Sequence, residues 1–398
     1  MGFRTLDEAE VAGKRVLVRV DFNVPMEGGQ VTDDTRLRAA LPTIEDVRRR
    51  GGRVILMSHF GRPKGRPMTG MSLIPLLQPL SDLLEAPVAF ATNCIGEPAR
   101  RAVQKLQDGE VLLLENLRFH PGEETNDPDF ARDLAANGDL YVDDAFSAAH
   151  RAHASTEGVA HLLPAYAGRA MQTELEHLEK ALGSPERPVM GIVGGAKVST
   201  KLELLENLVG RLDRLAIGGG MANTFRFAQG YDVGASLCER DMADTVRDIL
   251  KAAEAAGCHL LLPTDVVVAE AVEPGAGWRV AEIGVSIGPK DRILDVGPNS
   301  LRQVLDAISE SKTLVWNGPL GVFEVPPFDK GTVEAARHAA ALAKAGRLIA
   351  VAGGGDTVAA LNAAGVTGDF TFVSTAGGAF LEWMEGKTLP GVAALSRP

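Results

Sequence analysis

In the first half of this chain, cationic side chains recur just after short apolar runs. Asp21, Asn23 and Pro25 follow VLVRV and lead to Arg36; His59, Gly61 and Arg62 follow VILMS; Arg118 follows VLLL; Arg151 follows LYV. A guanidinium keeps its charge at any relevant pH, and its planar fork matches a phosphate or carboxylate with two parallel hydrogen bonds. Several such forks around one crevice specify a small, multiply charged acid. The stretch His150-Arg151-Ala152-His153 has an HxxH spacing but no cysteine partner and no HExxH context. Those histidines read as caps, packing groups or further anion ligands rather than a metal site.

The second half pairs glycine with cations and carboxylates. Gly194-Gly195-Ala196-Lys197-Val198-Ser199-Thr200-Lys201 precedes the helix-period run KLELLENL, and Gly353-Gly354-Gly355-Asp356-Thr357 opens another helical segment. Unpaired N–H groups and the helix dipole favour phosphate at such positions, and lysine adds a mobile positive charge. Asp356 stands where phosphate-bound magnesium would take a carboxylate, and magnesium commonly needs only one or two from the protein. Gly218-Gly219-Gly220 and Asn317-Gly318-Pro319, with Glu324 shortly after, are further strand-end turns. Neither GxxxxGK[ST] nor a strand-following GxGxxG is present, so this is not a Walker A loop and the signal for a bound dinucleotide is weak.

These positions need rigid elements behind them. Apolar runs of four to six residues alternate with helix-period segments, which predicts parallel sheets with crossover helices, an α/β chain. Strands are expected near 16–20, 54–58, 111–114 and 140–142, then near 189–193, 214–217, 259–262, 313–316, 347–351 and 369–373. Open α/β sheets bind ligands beyond the carboxyl ends of their strands, where the residues above lie. Met171, Leu175, Leu178 and Leu182 are at helical spacing within 164–182, before the breaker Gly183-Ser184-Pro185. Periodicity leaves open whether this helix connects two domains or belongs to the core of the first.

At 398 residues, two domains are expected. The composition, 45% hydrophobic and 23% charged, is that of a globular chain. Cys94, Cys238 and Cys258 form no CxxC pair, so neither a disulfide framework nor a zinc site is indicated, and a reducing, cytoplasmic setting is expected. The early residues Arg4, Asp7, Glu8 and Glu10 lack the order of a signal peptide, and no apolar run approaches the roughly 20 residues that span a bilayer. A net charge of −11 argues against nucleic acid as partner, so anionic ligands must meet a local cationic cluster.

The chain resembles the phosphoglycerate kinases over essentially its whole length. The resemblance rests on RVDFNVP at 19–25, SHFGRP at 58–63, LENLRF at 114–119, GGAKVSTK at 194–201, WNGPLGVFE at 316–324 and GGGDT at 353–357. It implies two Rossmann-like three-layer domains with parallel sheets joined by a hinge helix. One comprises residues 1–170 and binds the triose acid, with a tail from about 385–398 packing back on it; the other comprises 171–384 and binds the nucleotide. Asp21, Asn23, Arg36, His59, Arg62, Arg118 and Arg151 match the family's acid site. Lys197, Lys201, Gly219, Asn317, Glu324, Gly353, Gly354, Gly355, Asp356 and Thr357 match its nucleotide side, with Asp356 on magnesium. Arg36 and Lys201 would flank the phosphoryl group. The implied reaction is reversible transfer between 1,3-bisphosphoglycerate and ADP, giving 3-phosphoglycerate and ATP, in glycolysis and gluconeogenesis, by a cytoplasmic monomer.

A carboxylate acceptor is already deprotonated, so transfer to it needs positioning and charge neutralisation but no general base. Ligands held on different halves imply hinge bending, and small-angle scattering should show a smaller radius of gyration with both substrates bound. The alternatives are a kinase for another acyl phosphate and a non-catalytic nucleotide-binding homologue. One departure stands out: residues 374–379 read STAGGA, with Ala376 where the family more usually has a third glycine. Alanine would be strained there if the backbone needed positive φ, so it is expected not to.

Overall fold

The computed structural model describes residues 2–285 and 287–396. Among these the chain divides into one unit of residues 2–176 and 388–396 and a second of residues 177–387. Arg397 and Pro398, the end of the expected tail, lie outside the described residues.

The first unit is built on six parallel strands: β1 (Arg15–Arg19), β2 (Arg53–Met57), β3 (Val88–Ala91), β4 (Val111–Leu114), β5 (Leu140–Asp143) and β6 (Ala165–Ala167). Their order is β3-β4-β2-β1-β5-β6. Successive side chains of a strand face opposite sides. Both Leu17 and its neighbours Val16 and Val18 are fully buried, so the sheet is covered on both faces, the condition under which a parallel sheet reads as an unbroken apolar run. Helix α1 (Thr35–Arg49) buries Leu37, Ala40, Ile44 and Val47, one face of its helical repeat, in the same core as Val16 and Val18. Asp33 accepts from the Thr35 N–H at 2.8 Å and starts the helix, whose first turn carries Arg36. In the C-terminal segment, Gly391 N donates to Ala149 O at 2.9 Å and Ser396 bridges antiparallel to Phe3.

Strands β3 and β6 were not anticipated. Both are sheet edges, short and alanine-containing, and β3 is half exposed, so neither carries the dense apolar signal of a central strand.

Helix α2 (Arg169–Leu178) is shorter than the 164–182 span read from periodicity, because β6 occupies residues 165–167 and a single wide turn occupies Glu179–Gly183. The division between the units falls within it. Its start is clamped inside the first unit. Asp144 accepts from the N–H groups of Ala170 (2.9 Å) and Met171 (3.3 Å), Arg169 N donates to the Thr43 hydroxyl (2.7 Å), and the Arg169 guanidinium pairs with Asp7 and Asp46, each at 2.6 Å. A side chain at Gly168 would overlap the Asp144 carboxylate.

Burial pushes the Asp144 carboxyl up to about 7, against the lowering effect of the Thr43 hydroxyl and the helix N–H groups. The folded chain therefore retains a proton that the unfolded chain releases near its ordinary 3.8, and the stabilisation present below that value is lost as pH rises through about 7. Asp144→Asn keeps the Oδ1 acceptor and cannot ionise. Its stability relative to wild type, from urea midpoints, is expected to increase between pH 5 and 8 by roughly 2 kcal/mol. A difference independent of pH would refute this. Asp295, raised to about 7, titrates in both proteins and cancels in the comparison, whereas Asp143, raised to about 6, adds to the elevation of Asp144, so the difference reads the two as a coupled pair.

The second unit has strands β7 (Val189–Val193), β8 (Arg214–Ile217), β9 (His259–Leu261), β10 (Thr313–Asn317), β11 (Ile349–Gly353) and β12 (Phe372–Ser374), parallel in the order β9-β8-β7-β10-β11-β12. This is the doubly wound order with its switch point between β7 and β10. The first unit reaches its own switch between β1 and β5 by a different winding, so the two halves are not copies of one topology. A three-stranded antiparallel sheet, with Asp265–Ala269 between Trp278–Glu282 and Arg292–Val296, was also not foreseen. Among the described residues no helix is long and apolar enough to cross a membrane.

Candidate active site

In the first unit, the chain leaving β1 turns back on itself around Asp21. The Asp21 carboxylate accepts from the Arg36 guanidinium at 3.0 Å, the Ser147 hydroxyl at 2.5 Å and the Asn23 N–H at 3.1 Å. Arg36 also donates to Asn23 O at 2.8 Å, so the first turn of α1 is tied to the end of β1. The Asn23 side-chain oxygen accepts from Gly61 N at 2.9 Å, and Arg118 donates to Gly61 O at 2.8 Å. The turn after β2, with Gly61 at φ 60°, is thus held from both sides. Asn23 therefore fixes a loop, a role its residue type did not announce.

His59 is buried against Arg19, with Arg118, Arg151 and His153 close enough to act on it electrostatically. Burial and those cations hold its pKa well below the ordinary histidine value. His153 is likewise lowered, to about 4, first by burial and then by Arg118, Arg19 and Arg151. Arg118 is buried and pairs with Glu124 at 3.2 Å, while Arg151 donates to the His150 ring at 3.2 Å. Arg62 is exposed and makes no hydrogen bond or ion pair among the described residues, which leaves its whole fork available to a ligand. Two sets of the expected residues are therefore brought together, Asp21-Asn23-Arg36 and His59-Arg118-Arg151, with Gly61 bridging them. Arg19 was missed. Its signal was an arginine inside an otherwise apolar strand, which only a specific partner makes tolerable.

In the second unit the loops after β7, β8, β10 and β11 interlock. A side chain on Gly194 would run into the Pro319 carbonyl, and Gly318 has φ 103°, so these glycines are required by close approach of two backbones. Lys201, at the start of helix α3 (Leu202–Val209), donates through Nζ to Gly194 O at 2.7 Å and to Asn317 at Oδ1 (2.5 Å) and O (3.2 Å). Burial pulls its ammonium down to about 8, opposed by the Asp356 carboxylate. Asn317 also donates to Gly353 O at 2.9 Å, and the buried Thr357 hydroxyl accepts from Gly318 N at 2.7 Å. Helix α4 (Gly219–Ala228) opens at Gly219 after β8, and α5 (Gly355–Ala364) opens after β11 with Asp356 exposed in its first turn.

The three glycines after β11 do different work. Gly353 packs under Phe380, Gly354 takes φ 96° beside Asn317, and Gly355 is open and begins α5. Ala376 has φ −89° at the start of Gly377–Met384, an unstrained position for alanine.

A cleft of about 680 Å³ lies over these loops, lined by Gly195, Gly219, Leu237, Leu294, Glu324 and Asp356 among others. Its lining combines apolar side chains, Leu237, Val266 and Leu294 among them, with the carboxylates of Asp295, Glu324 and Asp356. A mixed lining of this kind suits a flat heterocycle joined to polar groups. Lys197 is exposed outside this lining, on the loop that Glu239 secures through Ser199 N (3.0 Å) and Oγ (2.6 Å). Asp295, a further lining residue not anticipated, anchors Gly331 N at 2.8 Å and leaves room only for glycine at Gly321.

Comparison with known proteins adds a family. The family described as phosphoglycerate kinase matches residues 6–387. The phosphoglycerate kinase of Caulobacter vibrioides is 67% identical over 395 residues, 99% of this chain and 100% of the relative. That of Rhizobium meliloti is 62% identical over 396 residues, 99% of each chain. Among solved structures, phosphoglycerate kinase from Coxiella burnetii superposes with a TM-score of 0.93 at 40% identity, covering 99% of this chain and 98% of that one. The Pyrococcus horikoshii enzyme gives 0.79 at 30% identity, with 98% of each covered.

Proposed function

Because the chain belongs to the phosphoglycerate kinase family and is an enzyme that moves a phosphoryl group between ATP and the carboxyl group of 3-phosphoglycerate, in glycolysis, we propose residue roles for that transfer. The observation that carries them is the state of Asp21. Its carboxylate is already engaged by Arg36, Ser147 and the Asn23 N–H, so it orients the site and accepts no substrate proton. A carboxylate acceptor arrives deprotonated, so its reaction asks for no base at this position.

Arg62, Arg118 and Arg151 take the acid's phosphate, with His59 as a hydrogen-bonding neighbour, and Arg36 meets the carboxyl end. On the nucleotide side the apolar lining of the cleft takes the base, Glu324 the sugar, and the loops at Gly353–Asp356 with Lys197, Lys201 and Thr357 the phosphates. Arg36 and Lys201 neutralise charge on the group in flight, an electrostatic contribution with no covalent step. Transfer requires the two bound ligands to meet in a space closed to water, because an acyl phosphate hydrolyses. The protein is proposed to act as a cytoplasmic monomer.

Magnesium fits Asp356. The carboxylate is exposed at the α5 N-terminus and makes no ion pair among the described residues, and no three acidic, histidine or cysteine side chains there form a closed cage. A lone carboxylate suits an ion that takes its other ligands from phosphate and water. When bound, the ion would neutralise phosphate charge. Asp356→Asn is expected to raise the magnesium concentration needed for half-maximal rate by about tenfold. An unchanged magnesium dependence would remove Asp356 from this role. The activity is tested by coupling ADP formation to a dehydrogenase reporter with 3-phosphoglycerate, ATP and magnesium; ADP release that does not require the acid would overturn the reading.

A further inference from the structure

Resting on the assignment of the first unit's cationic pocket to the acid, we infer that Arg19 is a positioning residue that fixes His59 in its neutral Nε2–H tautomer, so that His59 offers the acid a donor and not a charge. Arg19 is 1% exposed at the end of β1 and spends its donors inside the protein. Nε reaches the Ser155 hydroxyl at 2.9 Å, one terminal nitrogen reaches Val20 O at 2.5 Å, and the other lies 2.9 Å from His59 Nδ1. A guanidinium has no lone pair to accept with, so Nδ1 must be the acceptor and the ring proton must sit on Nε2.

The direction of the chain is set from its far end. Glu123, wholly buried, accepts from Ser155 Oγ at 2.6 Å and from Ser155 N at 3.0 Å. The single hydroxyl proton of Ser155 is committed to Glu123, so its lone pairs face Arg19 and hold the guanidinium in place. Glu123 also lies 3.8 Å from His153. The other groups facing His59 are Arg118 after β4 and Arg151 and His153 after β5, and each opposes a second proton on the ring, as does burial. His59 Nε2 makes no hydrogen bond among the described residues and is not sealed from solvent.

A histidinium would bind an anion more strongly but would lose its charge near neutral pH. A neutral donor among permanent arginine charges gives acid binding that does not vary across that range.

The test uses the full chain labelled with ¹⁵N-histidine, without substrate, so its result does not depend on the activity. The expected His59 signals are a protonated Nε2 and an unprotonated Nδ1, unchanged from pH 8 to about 5.5. A protonated Nδ1, or a ring titrating near 6.5, overturns the inference. Arg19→Met and the milder Ser155→Ala should each raise KM for 3-phosphoglycerate, about tenfold for the first, leave KM for ATP unchanged, and let the ring sample both tautomers. Arg19 as a merely structural residue would raise both KM values or neither and leave the ring signals as they were. Should Arg19→Met not fold, Ser155→Ala and the wild-type spectrum decide.

Discussion

A Lys201→Met variant is expected to lose kcat by about a hundredfold or more, with KM for 3-phosphoglycerate within about threefold of wild type. Methionine preserves the length and packing of the stem, so what disappears is the ammonium that donates to Gly194 and Asn317 at the mouth of β7 and β10. Those acceptors are carbonyl oxygens that hold the cation in readiness, and an arriving phosphate competes for it with a full charge. A pH signature separates this role from a structural one. Burial has brought Lys201 down to about 8, so the free enzyme loses the cation as pH rises through that value. The value of kcat/KM for the nucleotide should fall on that alkaline limb. Bound phosphate favours the charged form, so kcat should hold to higher pH. The limb should vanish in the variant; if Lys201→Met keeps both its rate and the same alkaline fall, Lys201 does not act on the transferring group.

Much of this site was legible because function in open α/β sheets sits where strands end. Following apolar runs to their carboxyl ends picks out Arg36, His59, Arg118 and Arg151 as candidates, and the same rule picks out Lys201, Asn317 and Asp356. What the pattern could not show was the use each residue makes of its neighbours. Asn23 and Arg118 pin the Gly61 turn from opposite sides, an arrangement between residues far apart in sequence. Gly194 and Gly318 are needed because two loops touch, whereas Gly355 touches nothing, and no spacing distinguishes them. Arg19 lies within RVDFNVP, but in a strand its charge has meaning only with His59 and Ser155 beside it. Edge strands β3 and β6 escaped for a different reason: VAFA and AYA are four and three residues long and half alanine or more, a residue of low strand preference. The central strands, buried on both faces, were legible almost to their ends.

Arg36→Ala should be the acid-side counterpart, with kcat down about a hundredfold or more and KM for ATP little altered. The guanidinium is poised by Asp21 at 3.0 Å and Asn23 O at 2.8 Å, yet its side chain remains 37% exposed, so part of its fork is available to a ligand. Removing it leaves Asp21 with the Ser147 hydroxyl and the Asn23 N–H, enough to satisfy the carboxylate. The fold should therefore lose no more than about 1 kcal/mol, visible as a small change in urea midpoint. Arg36→Lys restores a charge but not two parallel donors, so it should recover only part of the rate. The ordering matters more than any one value: wild type above lysine above alanine in kcat, with stability nearly constant across the three. If the pair with Asp21 were its whole purpose, stability and rate would fall together, and a kcat for Arg36→Ala within about threefold of wild type would remove Arg36 from the transfer step.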